Sequence, residues 1–281
     1  MNAVRQESAS HLRASVLYLE PGEGKPRSLE FEPPPGVART TAVYRDHTVA
    51  IHDMRPIAGS LSLEREGFQL LSAPTAVRDF GDEAAIRSTY YAEAIELIKQ
   101  ASGAERVVVF DHTIRRRIPG ANDRTVGVPR QPVPRVHIDY TADSGPQRVR
   151  DLLAGEAEAL LRHRFSVINL WRPIKGPIQD SPLAVTDARS VDPDDLVATD
   201  LIYPDRKGEI YYVRFNAAHR WFYAPGMRTD EAMLIKCFDS AQDGRARFVP
   251  HSAFNDPTTP AGAAPRESIE LRTLAFYAEA N

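Results

Sequence analysis

His137 and Asp139 lie two positions apart in the stretch Val136-His137-Ile138-Asp139-Tyr140-Thr141. The stretch reads as a β-strand. Alternate side chains of a strand share a face, so the imidazole and the carboxylate project together, about 7 Å apart along the backbone. Held that way, they can grip one metal ion. A second histidine would complete the two-histidine, one-carboxylate set that holds ferrous iron and leaves positions open for a cosubstrate and O₂. A His-x-Asp tripeptide recurs by chance and often marks a surface pair. The chain must therefore also supply a third ligand and an anchor for the cosubstrate.

Two downstream histidines are candidates for the third ligand. His219 sits in a hairpin beside Arg220 and Trp221, where a hydrogen-bonded, aromatic-rich turn is explanation enough. His251 begins a strand after Pro250, and Arg266-Glu267-Ser268 follows on the last strand of the chain. That order has a physical meaning. 2-Oxoglutarate chelates iron through its keto acid end and leaves a second carboxylate several ångströms away. A guanidinium fork grips such a carboxylate in bidentate fashion, better than an ammonium does. Ser268 shares a face with Arg266 and can add a hydrogen bond. Arg272 also lies on that face, about 20 Å further along a straight strand, too far for one short diacid to engage both. Arg266 with Ser268 is the favoured anchor. Arg272 is then a substrate contact or an ion-pair partner of Glu270 or Asp239, and Asn169 is a further residue able to reach the cosubstrate. The adjacent pair His52-Asp53 points to opposite faces of its strand and is read as structural.

Candidates for the substrate side are His112, Arg117, Tyr140, His219 and Trp221. His112 and the run Arg115-Arg116-Arg117 could meet an anionic group at a barrel mouth. Tyr211, Tyr212, Trp221 and Tyr223 suit an aromatic-lined mouth as well as they suit a core.

The elements that must position these residues are mostly strands. Ser15–Leu19, Thr48–Arg55, Arg106–Phe110, Arg164–Trp171, Ile210–Phe215, His219–Ala224, Glu231–Phe238, Phe248–Phe254 and Glu267–Tyr277 read as strands set off by turn residues. Phe80–Ser102 is the clearest helix, capped by Asp82 and ended by Gly103. A second helix runs from Gly145-Pro146 to Arg162. Residues 172–190 read as irregular, Asp192–Leu196 as one helical turn, and residues 1–10 as frayed. The pattern predicts a mainly β protein with flanking helices, built on a double-stranded β-helix (jelly-roll, cupin-like) core. It predicts a single domain over 1–281, with 1–105 as strands and a helix packed on a 106–281 jelly roll.

Composition narrows the partners. The 281 residues are 42% hydrophobic and 26% charged, the balance of a globular protein with a sizeable core. A formal charge of −3 gives no pull toward nucleic acid. One cysteine, Cys237, excludes an intrachain disulfide and suits a reducing cytosol. No apolar run is as long as a membrane span, and Met1 to Glu20 lacks the basic-then-apolar pattern of a secretory leader. The expectation is a cytoplasmic protein that meets a small molecule rather than nucleic acid or membrane. Nothing in the pattern specifies an oligomer.

Several segments together resemble the iron(II)/2-oxoglutarate oxygenases that include the cephamycin-pathway hydroxylase subunit and the fungal gibberellin desaturase. They are Phe110-Asp111-His112-Thr113, Val136 to Thr141, Asn169-Leu170-Trp171-Arg172-Pro173, His219 to Tyr223, Pro250 to Phe254, and Pro265 to Ile269 with Arg272. They span residue 106 to the C-terminus. The resemblance implies a double-stranded β-helix, Fe(II), 2-oxoglutarate and O₂ as cofactors, and hydroxylation or desaturation of a small molecule, often a natural product. It carries over His137, Asp139 and His251 as iron ligands and Arg266 as the cosubstrate anchor. The alternative is a cupin-type metal-binding protein, or an accessory subunit, without 2-oxoglutarate turnover.

Overall fold

A computed structural model describes residues 11–123 and 127–278. The frayed segment expected over residues 1–10 lies outside the described residues.

The chain opens with three strands, β1 (His11–Leu19), β2 (Arg27–Leu29) and β3 (Tyr44–Asp53), followed by β4 (Phe68–Ser72). A helical segment follows: α1 (Glu83–Ala85), a π turn over Ile86–Tyr90, and α2 (Tyr91–Ser102). The Asp82 carboxylate accepts from the backbone N–H groups of Ala84 and Ala85 and caps the segment. Gly103 ends it in the left-handed region, at φ 73°, where a side chain would be strained. The chain continues through β5 (Arg106–Arg116), β6 (His137–Ile138), α3 (Ser144–Leu152), α4 (Ala157–Leu160), β7 (Phe165–Lys175) and β8 (Leu183–Thr186). β9 (Leu196–Ile202), β10 (Lys207–Val213), β11 (Trp221–Tyr223), β12 (Glu231–Asp239), β13 (His251–Ala253) and β14 (Glu267–Phe276) complete it.

The strands form two sheets. The larger has the order β1-β3-β11-β8-β13-β6-β10-β9-β2, the smaller β4-β12-β7-β14-β5. Their inner faces share one apolar core, in which Ile138, Val185 and Trp221 of the larger sheet join Trp171, Met233, Phe238 and Leu274. The other face of the smaller sheet presents Ile168, Leu170, Leu234, Ile269 and Leu271 to Ile86, Tyr90, Ala94 and Ile98 of the helical segment. That outer cover explains why β7, β12 and β14 are apolar on both faces and read as near-continuous runs. The architecture is the expected jelly roll with flanking helices. The first hundred residues are built into it, β1 to β3 in the larger sheet and β4 in the smaller.

Several elements differ from expectation, among them β2 and β4, where the sequence predicts no strand, and β5, which runs past Phe110 to Arg116. β6 is two residues long rather than six. On one side, the Val136 N–H donates to the Leu17 carbonyl of β1. On the other, the Thr141 hydroxyl accepts from the N–H groups of Asp143 and Ser144 and turns the chain into α3. The helix expected to Arg162 is two short helices broken at Leu153–Glu156, around Gly155. β8 is a strand in the supposedly irregular 172–190. β9 begins directly after a helical turn at Pro193–Asp195.

Candidate active site

The two short strands β6 and β13 are antiparallel neighbours, and their pairing sets His137 opposite His251. Directly opposed residues have Cβ atoms about 5 Å apart, so the two rings meet across the ladder. Their centroids are 4.4 Å apart. Asp139 follows as β6 turns away. Its Oδ1 is 3.5 Å from His137 Nε2 and 3.9 Å from His251 Nε2. One donor atom from each of the three side chains lies within 4.8 Å of the others.

Each imidazole is oriented by its own strand. His137 Nδ1 lies 2.8 Å from the Arg135 carbonyl, and His251 Nδ1 lies 3.1 Å from the Val249 carbonyl. A carbonyl only accepts, so both Nδ1 atoms carry the proton and both Nε2 lone pairs face Asp139. Burial, with His251 beside it, pushes the His137 imidazolium down to about 3. The ring is therefore neutral, the form that binds metal. Burial raises the Asp139 carboxyl, but His251, His137, Arg272 and the Asn169 amide outweigh it and hold the group below its ordinary value. Asn169, on β7, donates from Nδ2 to Asp139 Oδ2 at 2.7 Å and to Glu270 Oε1 at 3.1 Å. It thus orients the carboxylate rather than facing open space.

The inward face of β14 carries Ser268, Glu270 and Arg272 in register with Arg115, Thr113 and Asp111 of β5, and Arg266 lies just before its first residue. Arg266 is 3% exposed. It donates to the Ser181 carbonyl at 2.7 Å and to the Ser268 hydroxyl at 3.2 Å, and lies over the Trp171 ring at 5.1 Å. Among the described residues it has no carboxylate partner within ion-pair distance. Burial, together with the Arg115 charge, pushes it down to about 9. A buried cation without a counter-ion is costly, and an arriving carboxylate relieves that cost. Two imidazoles, one carboxylate and a buried fork behind them fit a ferrous ion and a keto diacid.

A cavity of about 930 Å³ opens onto this site, lined by His137, Asp139, Tyr140, Arg115 and Arg272 among others. The remaining sequence candidates are placed as follows. Arg272 pairs with Asp111, its Nε donating at 2.6 Å, not with Glu270 or Asp239. His112 faces the helix, bonded to the Tyr91 hydroxyl at 2.8 Å, because alternation along β5 turns it away from the inward Asp111 and Thr113. Arg117 lies past the end of β5 and donates to Asp180 at 2.7 Å. His219 has both ring nitrogens engaged, at 2.9 Å from the Tyr18 hydroxyl and 3.0 Å from Asp195. Trp221 is fully buried and donates to the same Tyr18 hydroxyl. The side chains of His112, Arg117, His219 and Trp221 are thus engaged within the protein. Arg115, which the sequence did not single out, is the arginine of its run that faces inward. Counting back in twos from Arg117 would have put it on the face of Asp111 and Thr113.

A jelly roll with two imidazoles and one carboxylate converging at the mouth of a cavity defines a class: proteins able to hold one metal ion in a two-histidine, one-carboxylate site. Comparison with known proteins specifies it. A family described as an oxidoreductase/YMDC permease-like domain matches residues 16–276. The chain is 37% identical to the hydroxylase/desaturase efuI of Hormonema carpetanum, over 86% of this chain and 87% of that one. It is 31% identical to the Fe(II)/2-oxoglutarate-dependent dioxygenase nvfI of Aspergillus novofumigatus, over 96% and 98%. A solved structure of the iron and alpha-ketoglutarate-dependent endoperoxidase NvfI superposes with a TM-score of 0.86 at 29% identity, covering 96% of this chain and 99% of that one. The chain belongs to the Fe(II)/2-oxoglutarate-dependent dioxygenases. It is an enzyme that uses Fe(II), 2-oxoglutarate and O₂ to hydroxylate or desaturate a small molecule, rather than a cupin that only binds metal.

Proposed function

We propose that His137, Asp139 and His251 are the iron ligands and that Arg266, with Ser268, anchors the distal carboxylate of 2-oxoglutarate. The observation that carries this reading is the convergence of three donor atoms within 4.8 Å, with both Nε2 atoms left free by their Nδ1 bonds. Bound together, ferrous iron, 2-oxoglutarate and O₂ supply an oxidant able to take hydrogen from a C–H bond, with succinate and CO₂ as coproducts. The protein's part is to hold and orient. Asn169 fixes the plane of the Asp139 carboxylate. Arg266 and Ser268 set the direction from which the diacid enters. Tyr140 and Arg272 form the wall against which a substrate lies.

The kinship to the cephamycin hydroxylase subunit and the gibberellin desaturase belongs to the same proposal, as does a role in natural-product biosynthesis. So do a single domain over 1–281 and a cytoplasmic protein without nucleic-acid or membrane partners. Among the described residues no helix is long and apolar enough to cross a membrane. The test is release of succinate from 2-oxoglutarate in the presence of iron. It should require iron and should fall to background in His137→Ala, with the fold retained by circular dichroism. Turnover that survives in this variant would refute the ligand assignment.

A further inference from the structure

The cations that line the cavity are not equivalent. Arg135 is paired with Asp123, Arg272 with Asp111 and Lys207 with Asp200. Arg115 donates to the Gln131 carbonyl at 2.9 Å. Arg130 and Arg206 are exposed, Arg206 lying over the Tyr203 ring at 3.9 Å.

Arg148, on α3, is different. It is half-buried on the cavity wall, and no hydrogen bond or ion pair of its side chain occurs among the described residues. Its Cζ lies 5.7 Å from the Phe110 ring centre and 5.9 Å from the Tyr140 ring centre. Those rings stand edge to face, 6.5 Å apart. Its Nε is sealed from solvent without a partner. Two aromatic rings thus flank a guanidinium that has no carboxylate within ion-pair distance among the described residues, beside Tyr140, the residue next to Asp139. Such packing fixes the plane of a fork that is otherwise mobile, and a fixed fork loses less entropy on binding a planar oxyanion.

We propose that the primary substrate is a small molecule bearing a carboxylate, and that Arg148 is the residue that seats it. This rests on the reading of the site as a 2-oxoglutarate oxygenase, because Arg266 is then occupied by the cosubstrate and leaves Arg148 for the substrate. One guanidinium balances one negative charge and offers two parallel N–H groups to one carboxylate. The cavity volume leaves room for such a molecule beside the cosubstrate.

The test uses the anaerobic Fe(II) protein saturated with 2-oxoglutarate, whose visible charge-transfer band first reports that the cosubstrate is bound. Benzoate, 1-naphthoate and decanoate, each with its methyl ester, are then titrated by calorimetry. At least one acid should bind tenfold or more tighter than its ester. Arg148→Gln should erase that preference while keeping the band, and Arg148→Lys, which keeps the charge without the fork, should restore part of it. The proposal is overturned if no acid binds, if acids and esters bind alike, or if the preference survives in Arg148→Gln. Absence of the band in the unmodified protein would instead overturn the underlying oxygenase site.

Discussion

Asn169 sits buried between two carboxylates and donates to both. Residues that orient a metal ligand from behind are typically worth about 10–100-fold in metal affinity. Asn169→Ala should therefore weaken Fe(II) binding by about that factor, measured by anaerobic metal titration, while leaving the unfolding midpoint within a few degrees. Unchanged affinity would reduce Asn169 to a filler of the core. At this scale the sequence was informative where chemistry and strand parity coincided. His137, His251 and Ser268 sit on strands whose alternation decides their faces, while Asp139 lies just past β6 and Arg266 just before β14. The sequence was less informative where an attractive residue type hid the same arithmetic. His112 and Trp221 are of the right kind for a site, but one faces the helix and the other is sealed in the core. Arg148 escaped notice because a helical arginine two residues from another, Arg150, looks like an ordinary solvated surface.

At the level of elements, the position of His251 depends on a glycine far away in sequence. Gly67 has φ 87°, and a Cβ built on it would lie 2.3 Å from Val249 Cγ2. Its carbonyl accepts from Lys236, and the Val249 carbonyl in turn holds His251 Nδ1. Gly67→Ala should cost about 2–4 kcal/mol from the clash and the strained backbone, read by urea unfolding. It should also lower iron occupancy, since Val249 must move. A variant that keeps both stability and iron would show that β13 is positioned from elsewhere. The long strands β7, β12 and β14 were legible because each carries an extended apolar or alternating run, whereas β5 was legible only as far as Phe110 and continues to Arg116. β8 was not. Leu183–Thr186 is only four residues long and wholly buried, so it offers no alternation between Pro182 and Asp187. Short strands are held by their neighbours, and pairing partners are not written locally.

Across the whole molecule, the structural histidines tie stability to pH. His219 links Tyr18 of β1 to Asp195, and burial holds its imidazolium below the ordinary 6.5 despite the upward pull of Asp195. His52 is lowered by burial as well. For such a group the unfolded chain takes up the proton first as pH falls. Stability is complete above the unfolded value and is lost progressively below about pH 6.5. Unfolding free energy should therefore drop between pH 7 and pH 5, and His219→Gln should show a shallower drop. An equal slope in that variant would place the sensitivity elsewhere. The shortness of β6 and β13 has its own consequence. Two and three residues form few ladder bonds, yet these strands sit in the middle of a nine-stranded sheet. An ion gripped by His137 and His251 would act as a rivet through that seam. Loading with Fe(II), or with an inert divalent substitute, should raise the melting temperature by several degrees at saturating metal. Stripping the metal should loosen that seam before the outer strands, with amide exchange fastest around residues 137–138 and 251–253.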